Sequence, residues 1–164
     1  FGRGIMPIAA IGIALAATGD AAISALIVAG FAVGALIGAA LEPLRRQTLS
    51  VHATMGIGYA LTGLATLAAA LGFGIGWTIA FVALSGLCTA APTAAMLMLR
   101  RADSPEDVVA QVFTVGAALR TAAAAGGTAL AGALAGVEPL LLLAGSGAVW
   151  VLGGAAMLAY PRGR

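Results

Sequence analysis

TMGIGYALTGLATLAAALGFGIGWTIAFVALSGLCTAAPTAAMLML, residues Thr54 to Leu99, contains no Asp, Glu, Lys or Arg. An α-helix rises about 1.5 Å per residue, so about 20 apolar residues cross a hydrocarbon core of about 30 Å. The stretch therefore reads as two membrane spans joined by the turn Gly72-Phe73-Gly74-Ile75-Gly76. Its flanks agree. His52 stands just before it and the pair Arg100-Arg101 just after, so charge gathers where a span would leave the lipid.

Working outward, the whole chain has the same character. Hydrophobic residues make up 62% of its 164 residues and charged residues 9%, with a mean hydropathy of +1.08. A water-facing surface needs about 25% charged residues. This chain cannot cover its outside with polar groups, and a lipid bilayer is its expected surroundings.

Hydropathy and turn residues divide the chain into six expected helices, at about 5–18, 22–44, 51–71, 77–99, 105–135 and 140–160. The expected fold is thus an all-α membrane protein, a six-transmembrane-helix bundle. Its first helix is short for a span and is expected to be truncated, in a fragment of a longer chain. Gly19-Asp20 ends that first helix, and Trp77 opens the fourth near an interface. Ser104-Pro105-Glu106-Asp107 has the form of a helix start: a capping hydroxyl, proline at the first position, and two acids at the positive end of the dipole.

The charges test this division. All eight basic residues are arginines, against six acids, for a net charge of +2. With the amino terminus on the cytoplasmic side, Arg3, Arg45, Arg46, Arg100, Arg101, Arg162 and Arg164 fall inside, while Asp20 and Glu138 mark the outer turns. That segregation follows the positive-inside rule and puts the carboxy terminus in the cytoplasm of a multi-pass protein. The arginines are scattered pairs between apolar spans and form no basic face for nucleic acid. One cysteine, Cys88, and one histidine, His52, provide neither a disulfide framework nor a paired-histidine metal motif, and no metal or cofactor is expected.

Small residues predict tight crossings, since helices in lipid associate through close backbone approach. Gly30, Gly34 and Gly38 repeat every four residues in the second helix. Gly116, Ala117, Ala123, Ala124, Gly127 and Ala131 share a face of the fifth, with Gly132 and Gly136 as a second ridge.

Three stretches carry a family likeness. LIVAGFAVGALIGAALEPLRR (Leu26 to Arg46), GLCTAAPTAAMLML (Gly86 to Leu99) and SPEDVVAQVFTVGAALRTAAAAGGTALAGALAG (Ser104 to Gly136) resemble the eighth, tenth and eleventh helices of actinobacterial major facilitator superfamily transporters. The order of spans is similar to the carboxy-terminal six-helix half of that fold over nearly the whole chain. Gly38, Glu42, Arg45 and Arg46 look like a copy of the family's glycine–acid–basic loop motif, with Arg45 where the family has glycine. The resemblance implies a secondary carrier in the bacterial cell membrane, a missing amino-terminal half as partner, and two inverted three-helix repeats, Ile5 to Leu71 and Trp77 to Tyr160. It implies a small-molecule substrate near mid-membrane.

Within the spans, Arg120 is the outlier. A central arginine costs about 2.5–3.5 kcal/mol on insertion scales, so it is expected to face a wet cavity, a substrate anion or a partner carboxylate; a structural arginine bonded to carbonyls, or one snorkelling to the interface, is the alternative. Phe113 shares its face, for cargo stacking or for packing. Ser85, Thr89, Pro92 and Met96 form a stripe at helical spacing, either lining a pathway or satisfying their own backbone. Asp20 and His52 read as turn and interface residues. No carboxylate lies mid-span, so an acid for proton coupling is expected in the missing half. Without a nucleophile, base and acid close together, an enzyme is not expected. The other reading kept open is a self-standing six-helix protein with a scaffold or dimeric role.

Overall fold

The computed structural model describes residues 1–44 and 49–159. Within them the chain is helical: α1 (Gly2–Thr18), α2 (Ser24–Leu41), α3 (Val51–Ala69), α4 (Ile75–Cys88), α5 (Ala90–Ala102), α6 (Val109–Ala133) and α7 (Pro139–Ala159). α4 and α5 are two parts of one rod, so six rods stand where six were expected. Among the described residues, four segments are long and apolar enough to cross a membrane: Ala21–Leu44, Ile75–Ala102, Val109–Ala133 and Pro139–Ala159. Two rods fall outside that set. α1 has 17 residues, and α3 carries His52, Thr54, Tyr59, Thr62 and Thr66 among its aliphatics.

Local chemistry fixes the ends. Gly19 adopts φ 73°, a left-handed conformation that costs glycine nothing, and its N–H bonds the Leu15 carbonyl to close α1. The Asp20 carboxylate accepts from the Ala22 N–H at 2.8 Å and opens a short 3-10 turn into α2. Ser50 caps α3 by accepting from the Ala53 N–H at 3.3 Å. The Trp77 indole N–H donates to the Ala68 carbonyl at 2.8 Å, so the first turn of α4 satisfies a terminal carbonyl of α3.

Two expected boundaries are corrected. The helix expected from Pro105 begins at Val109 instead, because the Ser104 hydroxyl donates back to the Arg100 carbonyl at 2.5 Å and finishes α5. Glu106–Val108 form a turn closed by Val108 N–H to the Pro105 carbonyl at 3.1 Å. The rod expected to run unbroken from Trp77 to Leu99 is interrupted at Thr89. Pro92 has no N–H for the Cys88 carbonyl, and Thr89 tightens the chain with its N–H bonded to the Gly86 carbonyl at 3.0 Å.

A core of Ile5, Met6, Ile13, Ile27, Phe31, Val82, Leu142 and Leu143 is buried, yet the outside is as apolar as the inside. Leu36 is 71% exposed and Leu152 69%, while Thr62, Thr66, Thr78, Ser85 and Ser146 are buried. Those hydroxyls donate to backbone carbonyls: Thr62 to Gly58 at 2.9 Å, Ser85 to Val82 at 2.8 Å, and Ser146 to Gly2 at 2.7 Å. Among the described residues no buried side-chain polar atom is left unmet. Large apolar side chains on the outside, with the buried hydroxyls satisfied by backbone, suit hydrocarbon as solvent.

The crossings are backbone on backbone. A Cβ added to Gly34 would overlap the Ala83 carbonyl, one on Gly38 the Leu87 carbonyl, and one on Gly86 the Phe31 carbonyl, so α2 and α4 meet without side chains between them. At the α3–α7 crossing a Cβ on Gly63 would come within 2.6 Å of the Gly147 oxygen, and one on Gly154 within 2.6 Å of the Gly56 oxygen. The expected glycine repeat of α2 is thus a true crossing. The ridge expected at Gly132 and Gly136 is not one, since no described atom lies within 4 Å of a Cβ at either.

Who packs on whom follows a rule. α1, the first rod, packs on α6 and α7; α4, the fourth, packs on α2 and α3; and α3 packs on α7. The first rod of each group of three thus lies against the second and third rods of the other group. The two third rods meet each other through reciprocal glycine pairs.

Candidate functional site

The first turn of α1 lies mid-bundle. The Ser146 hydroxyl, near the middle of α7, holds the Gly2 carbonyl, and Thr128 of α6 donates to the Gly4 carbonyl at 3.0 Å. Arg3 is therefore half-way along α7. It was expected among the arginines at a bundle end, and the correction follows from those two bonds, which dock α1 beside Ser146 of α7 and Thr128 of α6. Its guanidinium carbon stands 5.5 Å from the Phe31 ring centroid on α2, a cation–π contact.

Beside Arg3 opens a cleft of about 550 Å³. Arg3 and Phe31 line it together with Tyr59, Met96 and Trp150, and α6 contributes Arg120 and Thr121. The Tyr59 and Trp150 rings stack at 5.4 Å between centroids. The Tyr59 hydroxyl has the Met96 sulfur, a weak acceptor, at 3.8 Å. Tyr59 also lies within the electrostatic reach of Arg120 and Arg100. Among the described residues, no acid lines the cleft.

Of the residues singled out in the sequence, Arg120, Thr89 and Met96 come together here. Arg120 is exposed into the opening. The Thr89 hydroxyl donates to the Gly86 carbonyl at 2.5 Å and that of Thr93 to the Thr89 carbonyl at 2.6 Å, so both serve the break in the rod. Ser85 is sealed within the α4 packing and off the cleft. Pro92 is fully buried, its ring 2.6 Å from a Cβ built on Gly58 of α3. Phe113 is half-buried, about two turns before Arg120 on α6, and does not line the opening.

Of the loop-motif residues, Gly38 serves the α2–α4 crossing. Glu42 opens the 3-10 turn Glu42–Leu44 and borders a second, mostly apolar groove with Cys88 and Thr54. Arg45 and Arg46 lie outside the described residues.

Arg3, Phe31, Tyr59 and Trp150 were not picked out in the sequence as cleft residues. Trp150 carried a usable signal, since tryptophan prefers membrane interfaces and this one is mid-helix. Arg3 did not: its depth depends on bonds to Ser146 and Thr128, more than 120 positions away along the chain.

The class these features define is a multi-pass α-helical membrane protein, by helix length, apolarity and outward-facing leucines. No protein-family model, curated protein or solved structure matches the chain.

Proposed function

We propose that this chain is the carboxy-terminal six-helix half of a major facilitator superfamily transporter, which exports or exchanges a small organic solute by alternating access. The observation that carries the reading is the interlocked packing of the rods. A pseudo-twofold axis in the membrane plane relating α1–α3 to α4–α7 would produce that pattern, and inverted three-helix repeats are how such carriers build two states around one site. Two further features support it. The rod α4–α5 is broken beside the cleft, and Arg120 faces open space at mid-helix. In this reading an amino-terminal half supplies the facing wall, and the protein sits in a bacterial cell membrane with its carboxy terminus in the cytoplasm.

The test uses the full gene product with Cys88→Ser and Thr93→Cys in membrane vesicles. Alternating access predicts that membrane-impermeant maleimides label the thiol introduced at position 93 from either face. It also predicts that Arg120→Ala depresses flux while Arg120→Lys retains part of it. Labelling from one face only, with unchanged flux in both variants, rejects the carrier.

One observation favours a second reading, a self-standing bundle that dimerises: α6 is the least covered of the long rods, with Gly116, Gly127 and Ala131 its buried residues. A Leu119→Cys variant that crosslinks to a second copy in membranes, with no upstream spans in the gene product, selects it.

A further inference from the structure

We propose that the central cleft takes an organic anion, its oxyanion held between Arg3 and Arg120 and its aromatic or branched apolar body laid against Phe31, Tyr59 and Trp150. The inference rests on the reading of this cleft as the solute's pathway and names the class of solute.

Charge comes first. Two guanidinium groups line one opening of about 550 Å³, and among the described residues no carboxylate lines it with them. A cation would meet two like charges there, and a neutral solute would leave both guanidinium groups unpaired. An oxyanion pairs with the forked N–H donors that arginine presents.

Hydrogen bonding narrows it further. The Thr89 and Thr93 hydroxyls donate to helix carbonyls. Tyr59 has the Met96 sulfur as its acceptor, which an oxyanion readily displaces, so Tyr59 is a third donor.

The remaining wall is aromatic. Phe31 lies under the Arg3 guanidinium and so orients it, and the Tyr59–Trp150 pair offers a ring face. The volume falls within the range for small-molecule sites, about 300–1,000 Å³.

The experiment measures binding of radiolabelled 2-naphthoate to the full gene product in a neutral maltoside detergent, by scintillation proximity. The expected result is saturable binding that unlabelled 2-naphthoate competes away and 2-naphthamide competes about tenfold less well or worse. Arg3→Gln and Arg120→Gln are each expected to weaken naphthoate binding about tenfold. The acid–amide comparison needs no variant, so a misfolded substitution does not decide the matter.

Equal competition by the amide overturns the proposal, as does insensitivity to both substitutions. Displacement by phosphatidylglycerol micelles with no saturable naphthoate binding overturns it in favour of a lipid-headgroup site. Binding by residues 1–164 alone that vanishes in the full product also overturns it, because upstream chain then fills the cleft. Naphthoate binding without flux in proteoliposomes leaves this proposal standing and removes the carrier. Flux of neutral or cationic dyes with no naphthoate binding does the reverse.

Discussion

α2 and α6 are both rich in glycine and alanine, yet α2 is crossed by backbone along its length and α6 chiefly towards its carboxy-terminal end. Along α2, Gly34 and Gly38 press directly onto the carbonyls of Ala83 and Leu87, and Gly86 answers from α4 against Phe31. Along α6 only Gly116, Gly127 and Ala131 are buried, and Gly132 faces no described atom. Where α6 does touch its neighbours, it meets backbone at the start of α1, with Gly127 on the Phe1 carbonyl and Gly4 on the Ala124 carbonyl, while Gly116 lies against the Arg100 guanidinium. A small-residue stripe therefore makes a crossing only where the facing helix offers backbone at matching height. In lipid that match is the main source of association, because apolar side chains gain little by leaving one hydrocarbon for another.

The contrast can be broken by substitution. Gly34→Leu is expected to have the largest effect, about 3 kcal/mol or more, because the new side chain meets a backbone carbonyl that cannot swing aside. Reversible unfolding with dodecyl sulfate in mixed micelles reads this; a loss below about 1 kcal/mol would show that the α2–α4 crossing is not backbone on backbone. Gly63→Val at the α3–α7 crossing should cost about 2 kcal/mol, somewhat less, since part of its surroundings is the Val151 side chain, which can move. Trp77→Phe keeps an aromatic ring between Phe73 and Phe81 and deletes the bond to the Ala68 carbonyl, so about 1 kcal/mol is expected by the same assay. Gly132→Leu on α6 should change stability by no more than about 0.5 kcal/mol. A large loss there would mean that α6 is covered by something absent from this chain.

The sequence was legible wherever the physics is local. Charge-free runs gave the rods, Gly19-Asp20 gave the end of α1 through its own backbone geometry, and the four-residue glycine repeat gave the α2 crossing. It failed where a residue had two uses. Ser104 reads as a helix cap, but its hydroxyl closes the preceding helix. Residues 77–99 read as one unbroken rod, but Pro92 offers no N–H to the Cys88 carbonyl and the chain breaks at Thr89. Of the cleft, Arg120 and Thr89 were readable because a mid-span charge or hydroxyl stands out against alanine and leucine. Arg3, Tyr59 and Trp150 meet only through tertiary packing, and no spacing along the chain brings positions 3, 59 and 150 together.

The central claim is that these rods run back and forth across a bilayer, and cysteine labelling tests it most directly. In a Cys88→Ser background, single cysteines replace Asp20, Ser50, Asp103 and Glu138, and an impermeant maleimide is applied to intact cells and to inverted vesicles. The account predicts that positions 20 and 138, at the end of the bundle where Ala17, Gly74 and Glu138 share a groove, react from one face, and positions 50 and 103 from the other. Labelling of positions 20 and 103 from the same face would contradict it.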